Sequence, residues 1–128
     1  MSSLYINLIP SCIYSSPQVA SIGITEKKAK EKNINVRVGK FPLSANGKAL
    51  SMSEEDGFIK TVFSSDTGEI LGAHLIGCEV TELINCFSLA MKLEATEEDI
   101  FQTIFSHPTL SEAIHESSLN AFSISLHI

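Results

Sequence analysis

Apolar and polar positions change period several times along the chain, and each change marks an element. Val19-Ala20-Ser21-Ile22-Gly23-Ile24 alternates apolar with small residues, the pattern of a short strand. An extended stretch over 9–14 precedes it, and Pro17 restricts Ser16 to extended geometry. Val36, Val38 and Phe41 point one way in a further strand, which Pro42 interrupts. Two β-rich runs, 58–63 and 69–76, flank Ser64-Ser65-Asp66-Thr67-Gly68, a hairpin-type connection.

Helical patterns fall between and after these runs. Thr25 is a good N-cap for a helix over 26–32, with acid early, lysine late and Asn33 as a stop. Residues 44–56, with Asn46-Gly47 and an acidic turn, read as a loop holding one helical turn. Over 79–93 the period is helical. Val80, Leu83, Ile84, Phe87, Leu89, Ala90, Met91 and Leu93 cover far more than one stripe. A helix apolar nearly all round is buried on two sides, so one side is expected to meet another chain or domain. Thr96 caps a helix predicted to run through Phe105, and a last helix is expected over 110–122. Strand, helix, strands and then helices define an α+β domain, an antiparallel sheet with helices packed on it.

The length, 128 residues, gives room for one such domain and leaves none for cofactor domains beside it. Apolar residues make up 44% and charged residues 19%, enough for a real core. No apolar run is long enough to span a membrane, and the first residues lack the basic-then-apolar order of a secretion signal. The net charge of −6 divides unevenly, about +3 over 1–64 and −9 over 65–128. The basic cluster Lys27, Lys28, Lys30 and Lys32 is interleaved with Glu26 and Glu31, a solvated helix face. With an acidic second half, nucleic acid is a poor partner.

Cys12, Cys78 and Cys86 include no C-x-x-C pair. If Cys78 and Cys86 share one helix they stand roughly 12 Å apart along its axis, too far for a disulfide. Free thiols of ordinary buried type are expected, which favours a reducing compartment. Zinc lacks Cys/His pairs at suitable spacing, and no metal is expected. His74 reads as a sheet histidine and His115 as a surface one, while His127 sits in a frayed tail.

The candidate chemistry lies in His107-Pro108-Thr109-Leu110-Ser111-Glu112-Ala113. Pro108 holds His107 outside the helix. Thr109 and Glu112 spell a T-x-x-E capping box, with Thr109 as N-cap. The Glu112 carboxylate points back toward the helix start and is in reach of a ring nitrogen of His107. A carboxylate on one imidazole nitrogen fixes the tautomer and raises basicity at the other, the arrangement that takes a proton from a thiol or hydroxyl.

Residues 9–14, then Pro17-Gln18-Val19-Ala20-Ser21-Ile22-Gly23-Ile24-Thr25-Glu26, resemble the opening of the C-terminal interface domain of FAD-dependent pyridine nucleotide–disulfide oxidoreductases. Gly39-Lys40-Phe41-Pro42-Leu43-Ser44-Ala45-Asn46-Gly47-Lys48-Ala49 and the Leu-Ser-Glu spelling after His107-Pro108-Thr109 narrow the resemblance to the dihydrolipoamide dehydrogenase branch, over about residues 4–122. Ser16 departs from the histidine common before that Pro. The resemblance implies a homodimer in which this domain completes the partner's active site. His107 would be the acid/base toward dihydrolipoamide, Glu112 would hold its imidazole, and the backbone of His107 and Pro108 would approach the partner's flavin.

FAD, NAD and the redox disulfide would belong to the upstream domains. The chain has neither a Cys-x-x-x-x-Cys pair nor a G-x-G-x-x-G cradle, so alone it is expected to be inactive and to hold no flavin. The lipoyl domain of a 2-oxo acid dehydrogenase complex would be a further partner, in bacterial cytoplasm or the mitochondrial matrix. Two alternatives stand beside this: the same domain of another disulfide reductase, such as glutathione reductase, and a dimerisation module without chemistry.

Overall fold

The computed structural model describes residues 8–122. Five antiparallel strands form one sheet in the order β1-β2-β5-β4-β3, with β1 at Ser11–Ile13, β2 at Gln18–Gly23, β3 at Val36–Pro42, β4 at Phe58–Ser64 and β5 at Ile70–Gly77. Helices α1 (Glu26–Glu31), α2 (Gly47–Ser51), α3 (Val80–Lys92), α4 (Glu97–Phe101) and α5 (Glu112–Ala121) complete it. The α+β expectation holds. Pro42 ends β3 rather than cutting it short, and it is tolerated because β3 is an edge strand.

Register explains the core. Phe41 stands opposite Ile59, Ile59 opposite Leu75 and Leu75 opposite Ala20, so their side chains share one face. Phe41 points away from Val36 and Val38 rather than with them, because an odd separation along a strand changes sides. Onto that face α3 packs over β2 and β5, and α5 over β3 and β4. Ile84, Phe87 and Met91 from α3 and Ala113 and Ile114 from α5 join the same cluster. Lys60, one residue out of phase, serves the other face, where its ammonium meets Glu26 of α1 at 3.0 Å.

Local chemistry sets most helix ends. Thr25 accepts the Lys28 N–H at 3.0 Å, and Asn33 follows α1 at φ 56°, the left-handed stop expected of it. Residues 44–56 carry more structure than one turn, a 3₁₀ turn at Leu43–Ala45 followed by α2. The predicted helix from Thr96 to Phe105 stops at Phe101. Asp99 accepts the Thr96 N–H at 2.8 Å to start α4, and the Thr103 hydroxyl then bonds the Asp99 carbonyl at 2.6 Å as the chain leaves the helix.

Candidate active site

His107 lies in the segment between α4 and α5, and its peptide bond to Pro108 is cis, as is that of Ser16 to Pro17. Its Nδ1 is 2.9 Å and 3.0 Å from the two carboxylate oxygens of Glu112, the first residue of α5. An ionised carboxylate only accepts, so the shared proton is assigned to Nδ1, and Nε2 of the neutral ring is then the basic nitrogen. The histidine side chain is 78% exposed and that of Glu112 29%. The anchor is sheltered while the working end of the ring is open.

The expected capping box is half made. Glu112 Oε1 accepts the Thr109 N–H at 2.9 Å, as a box requires. The Thr109 hydroxyl, however, donates to the Ser106 carbonyl at 2.7 Å, and Ser111 takes the N-cap position. The reason is a tighter entry: Ala113 N–H bonds the Leu110 carbonyl and Ile114 N–H that of Ser111, both i to i−3. The helix therefore starts two residues after the predicted Leu110, and the Glu112 carboxylate sits at its N-terminus, where negative charge is favoured.

Beside the pair opens a groove of about 540 Å3, with Phe41, Leu50, Ile104, Asn46, His107 and Glu112 in its wall. Ile104 is 96% exposed at its rim. Asn46 is a residue that sequence reasoning passed over. Its Oδ1 accepts the Ala49 N–H at 2.8 Å to cap α2, and its Nδ2 donates to the Thr109 carbonyl at 3.0 Å. The capping half was signalled by Asn, a preferred N-cap residue, placed ahead of Lys48-Ala49-Leu50. A contact across 63 positions had no local signal.

The other candidates fall outside this site. His74 Nε2 is 3.1 Å from the Ile24 carbonyl, as a sheet histidine should be. His115 is half-buried rather than a surface residue, its Nε2 3.4 Å from the Phe101 carbonyl and its ring beside Phe105. Among the described residues no three His, Cys, Asp or Glu side chains gather as metal ligands. Cys12, Cys78 and Cys86 are free thiols. Cys78 belongs to the turn before α3 rather than to the helix, and Cys86 lies on the exposed side of α3, contrary to the buried type expected. Neighbouring atoms that partly cover the sulfur push both thiols up from their ordinary value even though Cys86 is open as a residue, with Glu54 adding to the rise at Cys78. His127 lies outside the described residues.

A two-layer α+β domain that presents a carboxylate-held histidine on its surface belongs to a defined class. Residues 9–118 match the model of the pyridine nucleotide-disulphide oxidoreductase dimerisation domain, and the chain belongs to that family. It is similar to dihydrolipoyl dehydrogenases: 56% identical over 119 residues to that of Zymomonas mobilis, 52% over 120 residues to that of Bacillus subtilis, and 43% over 116 residues to the mitochondrial enzyme of Schizosaccharomyces pombe. These matches cover 93%, 94% and 91% of this chain and 26%, 25% and 23% of the relatives. The chain thus spans about a quarter of their length.

Among solved structures, the flavoprotein disulfide reductase RclA of Escherichia coli superposes with a TM-score of 0.83 at 27% identity, over 88% of this chain and 26% of that one. LpdA of Mycobacterium tuberculosis, at 23% identity and the same score over 92% of this chain and 26% of that one, shares the fold. Among the described residues no helix is long and apolar enough to cross a membrane.

Proposed function

We propose that this chain is the interface domain of a dihydrolipoyl dehydrogenase and that it supplies His107 as acid/base to the active site of a partner subunit. The observation that carries this is the Glu112–His107 pair, with Nδ1 anchored at 2.9 Å and the ring 78% exposed. In the assembled enzyme Nε2 accepts the thiol proton of dihydrolipoamide, and the imidazolium that forms is stabilised by the Glu112 carboxylate. The thiolate left behind would exchange with a redox disulfide on another domain, where a bound FAD would supply the path for electrons to NAD. This chain's own share is protonic, and the backbone of the exposed His107 and Pro108 would be the part that approaches a partner's flavin. The chain by itself turns nothing over and holds no flavin.

Dimerisation is the second half of the proposal. Leu89 and Leu93 are 63% and 72% exposed on the outer side of α3, with Cys86 on the same stripe. An exposed apolar stripe on a dimerisation domain is suited to a second copy of the chain. A lipoyl domain of a 2-oxo acid dehydrogenase complex is the expected source of substrate, in bacterial cytoplasm or mitochondrial matrix.

The test replaces the matching 119 residues of the Zymomonas mobilis enzyme with this chain and compares the chimera with its His107→Gln form. Lipoamide turnover is expected to fall by about 1,000-fold while flavin content and dimer mass stay normal. Turnover within threefold of the parent would overturn the acid/base role and leave a dimerisation module without chemistry.

A further inference from the structure

We propose that Asn46 is a positioning residue for His107, acting through Thr109; the inference rests on the acid/base role proposed above. Thr109 is held at both ends of its backbone. Its N–H donates to Glu112 Oε1 at 2.9 Å, and its carbonyl accepts from Asn46 Nδ2 at 3.0 Å. The same Glu112 carboxylate receives His107 Nδ1. Asn46, Thr109, Glu112 and His107 therefore form one hydrogen-bonded chain that starts at the N-terminus of α2.

Each link bears on the direction of Nε2. His107 is mostly solvent-exposed and gains little orientation from packing, so the Glu112 bond and the backbone of 107–109 must aim the ring. Those groups are anchored in turn at Asn46, which is 4% exposed and fixed by its own bond to Ala49 N–H. The position asks for one acceptor and one donor on a short planar side chain, which an amide provides. Aspartate has no donor for the Thr109 carbonyl, and a serine hydroxyl is too short to reach it while capping α2. Misplacement of a catalytic group by about 1 Å can cost on the order of 100-fold in rate, so a partial loss of aim has a measurable effect.

In the chimeric holoenzyme, Asn46→Asp and Asn46→Ser both keep an N-cap for α2 but remove the donor to Thr109. The expected result is a kcat for dihydrolipoamide about tenfold lower, with KM within twofold and flavin content and dimer mass normal. Combined with His107→Gln, either change should add no further loss, because both act through one imidazole. The proposal is overturned by kcat within twofold of the parent in both variants, by a further tenfold loss on top of His107→Gln, or by loss of flavin in both. If Asn46→Asp alone loses flavin, Asn46→Ser decides by the same limits. Parent-like turnover of His107→Gln would overturn the acid/base role and this inference together. A large loss in His107→Gln with parent-like Asn46 variants would overturn only this one.

Discussion

Helices α3 and α5 share one face of the sheet, yet their sequences and their exposure run in opposite directions. α3 is rich in Leu, Ile, Phe and Met, and still leaves Cys86 and Leu89 exposed, with Leu93 just beyond its end. α5 is polar at Glu112, His115, Glu116, Ser117, Ser118 and Asn120, and none of its ten residues is exposed. Hydrogen bonding accounts for the second helix. Ser117 shares a bond with Thr61 at 3.1 Å and donates to the Gly39 carbonyl, Ser118 returns to the Ile114 carbonyl, and Asn120 accepts the Lys40 N–H of edge strand β3. Buried polar groups cost little when each has a partner, and here they also seal a strand edge. A polar helix is buried where it holds the candidate site, and an apolar one is left open on the face proposed for dimerisation.

The most damaging way to break this arrangement is at Gly39. A Cβ there would run into the Ser117 carbonyl and crowd Ala121, so α5 lies directly on the backbone of β3. Gly39→Ala is expected to destabilise the domain by about 3 kcal/mol, the upper end for overpacking, because the obstacle is backbone and cannot rotate away. Urea unfolding measures it. A loss under about 0.5 kcal/mol would mean that α5 is not seated as described.

The opposite helix should respond in the opposite sense. Leu89→Lys with Leu93→Lys places two charges on the open stripe of α3, where both side chains are mostly exposed and a cation suits the end of the helix. Fold stability is expected to change by less than about 0.5 kcal/mol, whereas self-association weakens by about 100-fold or more because the charges would be buried in the dimer. Light-scattering mass against concentration separates the two effects. A dimer of unchanged affinity would move the interface elsewhere.

The two helices also differ in how far they could be read from sequence. The breadth of the apolar pattern on α3 was visible, including the stripe that the single chain leaves open. The His107–Glu112 pair was legible because it spans five positions and follows from local backbone geometry. The end of α4 was missed because Thr103 bonds back to the Asp99 carbonyl, a choice that helix propensity does not reveal. The burial of α5 was missed for a different reason. Ser117 and Asn46 gain their meaning from Gly39, Thr61 and Thr109, which lie far away in sequence, and periodicity cannot see partners at that distance.

Ser117→Ala sharpens the same contrast at smaller scale. It removes the hydroxyl that joins Thr61 and Gly39, both buried, without changing the shape of the helix. A loss of about 1–2 kcal/mol is expected, one net hydrogen bond plus the stranded Thr61 hydroxyl. In the chimera, lipoamide turnover should stay within twofold of the parent, because the contact lies away from His107. If stability is unchanged, the polar face of α5 does not depend on its partners.

The smallest effect belongs to the face of the sheet that neither helix covers. There Lys60 of β4 holds Glu26 of α1 at 3.0 Å, and its hydrogen bond and charge lower the Glu26 carboxyl below its ordinary value, with Lys30 adding to the same direction. A carboxyl depressed in the folded state stabilises above the pKa of the unfolded chain, about 4.3 for glutamate, and that stabilisation is lost as pH falls through the lower folded value. The side chains of the pair are 30% and 40% exposed, so solvent screening holds its worth to a few tenths of a kcal/mol. Glu26→Gln should therefore lower stability by about 0.3 kcal/mol at pH 7, and the difference from the parent should vanish once the parent's own Glu26 is protonated. A difference that persisted in acid, or one as large as that expected for Ser117→Ala, would show that this face is tied to the fold by more than charge, and the contrast would then run between two faces as well as between two helices.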